Sequence, residues 1–344
     1  GLDKSDFKIV YSPQHGADNI PVRTCLKRLG YDIVPVLAQC APDPDYTNTK
    51  SPNPEVDASY ELAIKLAKEV DADVVAITDP DGDRLGVVAK HNGEYVLMSG
   101  NQSAAVYLEY ILSQRKEKGT LPDNAVMYNT IVTSDLGELV ARNYGVDVEK
   151  TLTGFKFIGD KIRKYEKTHE KQFIFGYEES YGCVVEDFVR DKDAVQAVLL
   201  AAECGNYYKK QGKDLNDVLN ELYAKYGTFK ESQIALAKAG AAGAARIKEM
   251  MDTLRQDKPT EIGGVKVVLS EDYATSERSD GTTIDLPKSN VLKYYLEDGS
   301  WIAARPSGTE PKCKFYFSIN GKDAKDAADK TEVFHKAMME LIGE

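Results

Sequence analysis

Short runs of β-branched and aromatic residues alternate with stretches of helical periodicity over the first 226 residues, and no other property of the chain restricts its fold so sharply. Such an order builds βα units around a largely parallel sheet. The first unit is expected as a strand over 7–11, a helix over 21–29 and a strand over 32–37. A Pro-rich stretch, 42–54, then reads as an irregular surface loop. Tyr60, Ala63, Ile64, Ala67 and Val70 share one helical face, which should pack on a sheet that includes a strand at 74–77. Asn92-Gly93 lies between apolar runs at 87–90 and 95–98 and predicts a hairpin, because both turn positions tolerate positive φ. A helix over 102–118 should stop at Gly119.

Pro122-Asp123 marks a boundary. A second α/β block is expected up to residue 226, with strands at 126–132 and 173–175 and helices at 194–209 and 215–225. Beyond Gly227 the rhythm changes to a strand, an Ala-rich helix, two or three strands with a hairpin turn at Glu297-Asp298-Gly299, and a covering helix at 325–341. The expected architecture is thus two consecutive α/β domains, 1–119 and 120–226, with mixed, mainly parallel sheets. An α+β domain with an antiparallel sheet, 227–344, follows. No low-complexity segment or short internal repeat is present.

Composition narrows the partners. The 344 residues hold 44 Lys and Arg against 55 Asp and Glu, and the resulting net charge of −11 disfavours nucleic acid as a general partner. No apolar run approaches the roughly 20 residues that cross a bilayer, and the start lacks a signal-peptide core, so no membrane partner is expected. Cys25, Cys40, Cys183, Cys204 and Cys313 form no Cys-x-x-Cys pair and are odd in number, which suggests reduced thiols in the cytoplasm. His15, His91, His169 and His335 lack a zinc-ligand spacing.

Three loops carry chemistry. Asp79-Pro80-Asp81-Gly82-Asp83-Arg84 follows a strand, where ligand sites of open α/β sheets lie. Its three carboxylates repel one another unless a cation holds them, and hard oxygen ligands suit Mg²⁺. A calcium EF-hand is excluded, since the sixth and twelfth loop positions are Arg84 and Lys90. An aspartate nucleophile remains open, with Asp79 attacking phosphorus and Asp81 moving the proton. Gly176-Tyr177-Glu178-Glu179-Ser180 follows a second apolar strand, and its carboxylates and hydroxyl could accept hydrogen bonds from sugar hydroxyls. Thr153-Gly154-Phe155-Lys156 and Arg190-Asp191-Lys192-Asp193 add further polar groups. Arg305-Pro306-Ser307-Gly308-Thr309-Glu310-Pro311 offers a guanidinium, two hydroxyls and a glycine N–H, donors that match a phosphate dianion.

Taken in order, these loops resemble the α-D-phosphohexomutases, most closely the bacterial α-phosphoglucomutases. Tyr11-Ser12-Pro13-Gln14-His15-Gly16 looks like the opening of that family's second domain, and the segments 79–84, 151–159, 176–182 and 305–311 look like its metal, sugar and phosphate loops. In that family a phosphoserine gives its phosphoryl group to a hexose phosphate, and the bisphosphorylated sugar turns over to return the other one. The resemblance implies Mg²⁺ held by Asp79, Asp81 and Asp83, with Arg84 beside it. It implies a hexose phosphate gripped by Glu178, Ser180, Thr153 and Gly154, and the non-reacting phosphate bound by Arg305, Ser307, Gly308 and Thr309. Lys192 is the candidate for proton transfer or phosphate contact. A hexose 1,6-bisphosphate is the implied intermediate or activator.

Two departures stand out. Pro80 occupies a position where many members have Gly, which leaves the ligand positions unchanged. No Ser-His-Asn sequence, the family's phosphoserine loop, occurs in the chain. The expectation is therefore a truncated or processed product that lacks the N-terminal domain and is inactive alone. The rival readings are an aspartyl-phosphate phosphotransferase using Asp79 and a sugar-phosphate-binding module without catalysis.

Overall fold

The first strand, β1 (Lys8–Ser12), is buried along four of its five residues, as a central strand covered on both faces must be. The computed structural model in which it lies describes residues 2–308 and 310–344. Two compact units divide the chain, one ending at Leu222 and the other running from Tyr223 to Glu344.

In the first unit, β1 is followed by α1 (Asn19–Leu29), β2 (Asp32–Pro35), α2 (Glu61–Val70) and β3 (Val74–Thr78). The strand expected over 32–37 stops at Pro35 because the chain turns into a 3₁₀ segment at Leu37–Gln39. Next come β4 (Leu85–His91) and β5 (Glu94–Met98), joined through Asn92 and Gly93 at φ 51° and 85°. The sheet order is β2-β1-β3-β4-β5, with β1 parallel to β2 and β3 and the last two strands antiparallel. Tyr60, Ala63 and Ala67 are buried against Val10, Val75 and Ile77, with Ile64 and Val70 partly buried beside them. The face foreseen from helical spacing is the packed one.

The chain continues with α3 (Gly100–Glu117), β6 (Ala125–Thr130), α4 (Leu136–Asn143), β7 (Asp147–Thr151), α5 (Phe155–Thr168), β8 (Gln172–Tyr177), β9 (Cys183–Val184), α6 (Ala194–Lys209) and α7 (Leu215–Tyr226). The strand expected over 126–132 ends at Thr130, whose amide is taken by the Thr133 hydroxyl at 3.0 Å rather than by the ladder. The sequence reading did not foresee α4, β7, α5 or β9. Strand order here is β7-β6-β8-β9, with β6 parallel to its neighbours and β9 antiparallel. It repeats the topology of β2-β1-β3-β4, a repeat of connectivity rather than of residues. α6 touches β3, β4, β9 and α1, and α3 touches β4, α4 and α6. Burial from several sides explains why both helices are apolar around much of their circumference.

The second unit holds β10 (Thr228–Ala237), α8 (Gly240–Asp257), β11 (Glu261–Ile262), β12 (Val265–Asp272), β13 (Glu277–Arg278), β14 (Leu292–Leu296), β15 (Trp301–Pro306), β16 (Lys312–Gly321) and α9 (Ala324–Leu341). Its sheet is antiparallel in the order β10-β16-β15-β14-β12-β11, with β13 on β12. Leu292, Tyr294 and Leu296 alternate into a core shared with Met250, Leu254, Phe334 and Met338 from α8 and α9. Lys293, one residue out of phase, is fully buried with its ammonium 4.0 Å from the Trp301 ring centre and 4.6 Å from that of Tyr295. The architecture is two mixed α/β layers with parallel-containing sheets, then an antiparallel α+β unit, as the sequence leads one to expect. Among the described residues, no helix is long and apolar enough to cross a membrane.

Candidate functional site

β1 leads to β2 on one side, and the chain then crosses to β3 on the other. The gap beyond the carboxyl ends of β1 and β3 is therefore a topological switch point, where α/β sheets open a crevice. Two loops flank it, 13–18 after β1 and 79–84 after β3. They are fastened together. Ala17 N donates to Pro80 O at 2.9 Å, and a Cβ on Gly16 would stand 2.4 Å from Pro80 Cα, so only glycine permits this approach.

Asp79 organises its own loop. The residue is 6% exposed, and its Oδ1 accepts from the amides of Asp83 at 3.1 Å and Arg84 at 2.9 Å. Gly82, at φ 75°, supplies the left-handed bend that turns the chain back. One carboxylate oxygen from each of Asp79, Asp81 and Asp83 then lies within 4.8 Å of the others. Burial, with Asp81 and Asp83 adding to it against the Arg84 amide, pushes the Asp79 carboxyl up to about 7. The Arg84 guanidinium bonds Glu55 at 2.9 Å and stands 3.6 Å from both Asp79 and Asp83.

The second sheet repeats the arrangement. The loop after β8 carries Glu178, which is 7% exposed and accepts from Gly154 N at 2.9 Å. Gly154, at φ 112°, precedes α5, so Thr153-Gly154 and the 178–180 loop meet through one hydrogen bond. Burial raises the Glu178 carboxyl above its usual range, while the Gly154 amide and Lys192 oppose the shift. Glu179 turns the other way and accepts from the hydroxyls of Thr130, the last residue of β6, at 3.0 Å and Thr133, in the turn that follows it, at 3.4 Å. Ser180 is partly exposed. Tyr181 O accepts from Leu85 N at 2.9 Å and so ties this loop to the start of β4.

Lys192 joins the two loops. Its ammonium lies 2.8 Å from Asp83 Oδ2 and 3.9 Å from Glu178 Oε2. Burial works against the charge, but the hydrogen bond to Asp83 and the charge of Glu178 outweigh it and hold the lysine above its ordinary value. A cavity of about 750 Å³ opens beside this lysine, lined by Asp18, Gly82, Lys156, Arg190 and Asp193 among others. Of the expected residues, the first unit therefore gathers Asp79, Asp81, Asp83, Arg84, Gly154, Glu178 and Lys192. Sequence reasoning did not single out Asp18, Glu55, Thr130 or Thr133; Asp18 lies in the loop after β1, Thr130 and Thr133 lie at and just past the end of β6, and Glu55 lies in the Pro-rich loop before α2.

The phosphate-type loop joins β15 to β16 in the second unit. Ser307 N donates to Lys312 O at 2.7 Å, Glu310 N donates to Ser307 Oγ at 3.3 Å, and the Arg305 guanidinium reaches the Tyr316 hydroxyl at 3.5 Å. A Cβ on Gly308 would meet nothing within 4 Å. Thr309 lies outside the described residues.

Two α/β layers with loops at their switch points are followed by an α+β unit, and family models match the chain in that same order. Residues 2–93 match the model of phosphoglucomutase/phosphomannomutase α/β/α domain II, 99–226 match α/β/α domain III, and 238–333 match the C-terminal domain. The chain belongs to the phosphoglucomutase/phosphomannomutase family.

It is 38% identical over 326 residues to a phosphoglucomutase of Staphylococcus haemolyticus, covering 93% of this chain and 58% of that protein. A Staphylococcus aureus phosphoglucomutase is 38% identical over 336 residues, covering 96% and 60%. The chain thus spans about three fifths of the length of these relatives. Among solved structures, Paramecium parafusin, a phosphoglucomutase, superposes with a TM-score of 0.71 at 19% identity over 98% of this chain and 59% of that one. An Aspergillus fumigatus N-acetylphosphoglucosamine enzyme solved with glucose 1,6-bisphosphate gives 0.54 at 14% identity, over 97% and 60%. At these identities the structural likeness speaks for the fold alone.

Proposed function

We propose that this chain carries the metal-, sugar- and phosphate-binding parts of a phosphoglucomutase-type phosphohexomutase, which interconverts hexose 1-phosphate and hexose 6-phosphate through a hexose 1,6-bisphosphate. The observation that carries the reading is the bridge made by Lys192 between Asp83 in one switch-point loop and Glu178 in the other. It brings a cation-holding group and a hydroxyl-binding group to one place. The domain division 1–119, 120–226 and 227–344 belongs to the same proposal, as does a cytoplasmic setting, which suits five cysteines with free thiols.

The acidic loop fits Mg²⁺. Its donors are hard carboxylate oxygens within 4.8 Å of one another, and Asp83 Oδ1 is buried without a hydrogen bond among the described residues. Asp79, Asp81 and Asp83 would hold the ion, and the chemistry supplied there is neutralisation of charge on a phosphoryl group in transfer. The amides of Asp83 and Arg84 fix Asp79, and the Arg84 guanidinium is held beside the loop by Glu55. Glu178, buried and aligned by Gly154, accepts from a sugar hydroxyl, with Ser180 and Thr153 as neighbouring partners. Lys192, kept protonated by Asp83, is suited to contact phosphate or to donate a proton. Arg305, Ser307, Gly308 and Thr309 are assigned to the phosphate that is not transferred. The phosphoryl donor is assigned to a serine outside these 344 residues.

Titration of this chain with glucose 1,6-bisphosphate and Mg²⁺, followed by calorimetry, tests the reading. Binding is expected, weakened about tenfold by Glu178→Gln and by Arg305→Ala, in line with loss of one charged hydrogen bond. Absence of binding, or binding indifferent to both substitutions, refutes it. Capture of a phosphoryl mimic such as beryllium fluoride on Asp79 would transfer the case to the aspartyl-phosphate chemistry.

A further inference from the structure

Asp18 stands where a helix cap would stand and does not cap. It precedes α1 directly, yet its side chain accepts no hydrogen bond from the first turn. The residue is instead 6% exposed, with Oδ2 buried and without a hydrogen-bond partner among the described residues. Its direction is fixed by Gly82: a Cβ built there would lie 2.5 Å from Asp18 Oδ1 and 2.8 Å from Oδ2, so the carboxylate rests on the α-carbon between Asp81 and Asp83. The same loop that carries Asp18 is fastened to the acidic loop by Gly16 against Pro80 and by Ala17 N to Pro80 O. Burial weighs most on it, followed by the charges of Asp193, Asp81 and Asp83. A buried carboxylate among carboxylates is costly unless a cation is near.

We propose that Asp18 is a fourth carboxylate of the cation site, acting from outside the three-oxygen cluster by holding Gly82 in place and by accepting hydrogen bonds from water carried on the bound ion. This rests on the reading of 79–84 as a metal loop. Mg²⁺ keeps several of its waters when proteins bind it, so an outer carboxylate facing the loop has hydrogens to accept. The position also accounts for the orphaned oxygen and for the missing cap. Asp18 is thus a positioning residue for the ion, and its stabilising partner is present only when the site is loaded.

The test measures Mn²⁺ binding to this chain by calorimetry and by the ion's electron spin resonance, beside thermal melts with and without Mn²⁺. Asp18→Asn is expected to weaken Mn²⁺ about tenfold, the usual size of such an outer contribution. It is also expected to melt higher than the parent protein in the absence of metal, since an unpaired buried charge has gone, and to gain less from added Mn²⁺. Asp18→Ala, which cannot bond water at all, should weaken the ion at least as much. Unchanged Mn²⁺ affinity in both variants, with affinity lost in Asp81→Asn, overturns the role of Asp18 alone. Unchanged affinity in Asp81→Asn as well overturns the metal loop itself. A lower melting point without metal in both variants would mark Asp18 as an ordinary structural residue and likewise overturn the inference.

Discussion

Glu149 shows how far a single charge can be set by its neighbours. It lies on β7 and takes Tyr165 at 2.7 Å, Lys161 at 2.9 Å and Lys171 at 3.0 Å. Burial alone would raise its pKa, but these three partners outweigh it and hold the carboxyl at about 2. The folded value is below the unfolded one, so the contribution is fully present above about pH 4.5 and is lost as the pH falls toward 2. Glu149→Gln should cost about 2 kcal/mol near neutral pH, after allowance for partial exposure. Urea titrations should show the gap between the two proteins closing on the acid side, and a gap that stays constant with pH contradicts the assignment. At this scale the sequence was legible wherever chemistry clusters along the chain: Asp79, Asp81 and Asp83 are neighbours before folding. Asp18, Glu55, Thr130 and Thr133 join the site only because strands separated in sequence lie side by side.

Elements were readable in proportion to how simply each is packed. The hairpin at Asn92-Gly93 and the helix face of Tyr60, Ala63 and Ala67 follow from local geometry and appear as expected. β7 reads Asp-Val-Glu-Lys-Thr, a polar edge strand with one residue of five buried, and gives little alternation to detect. α5 did carry a signal, with Phe155, Ile158, Ile162 and Tyr165 buried at helical spacing, but the polar Thr153-Gly154-Phe155-Lys156 segment drew attention to ligand groups instead. α3 illustrates a boundary set by side chains: Ser99 Oγ accepts from Gln102 N at 3.2 Å while Gln102 Oε1 accepts from Ser99 N at 2.8 Å. Ser99→Ala removes half of this reciprocal cap and should cost about 1 kcal/mol. The unfolding midpoint in urea reports it, and an unchanged midpoint would show that tertiary burial alone fixes where α3 begins.

For the molecule as a whole, the division at Leu222 and Tyr223 gives two units with separate cores. The acidic loop belongs to the first. Scanning calorimetry should resolve two transitions, of which Mn²⁺ raises only one, by about 2.7 kcal/mol of stabilisation at a hundredfold excess over the dissociation constant. A single transition, or two that move together, would show that the units unfold as one. Trp301, the chain's only tryptophan, lies in the second unit, 1% exposed beneath the Lys293 ammonium. Its emission is consequently a built-in optical reporter of that unit alone, free of background from any other indole, and the melting of one half can be watched while the other half is titrated.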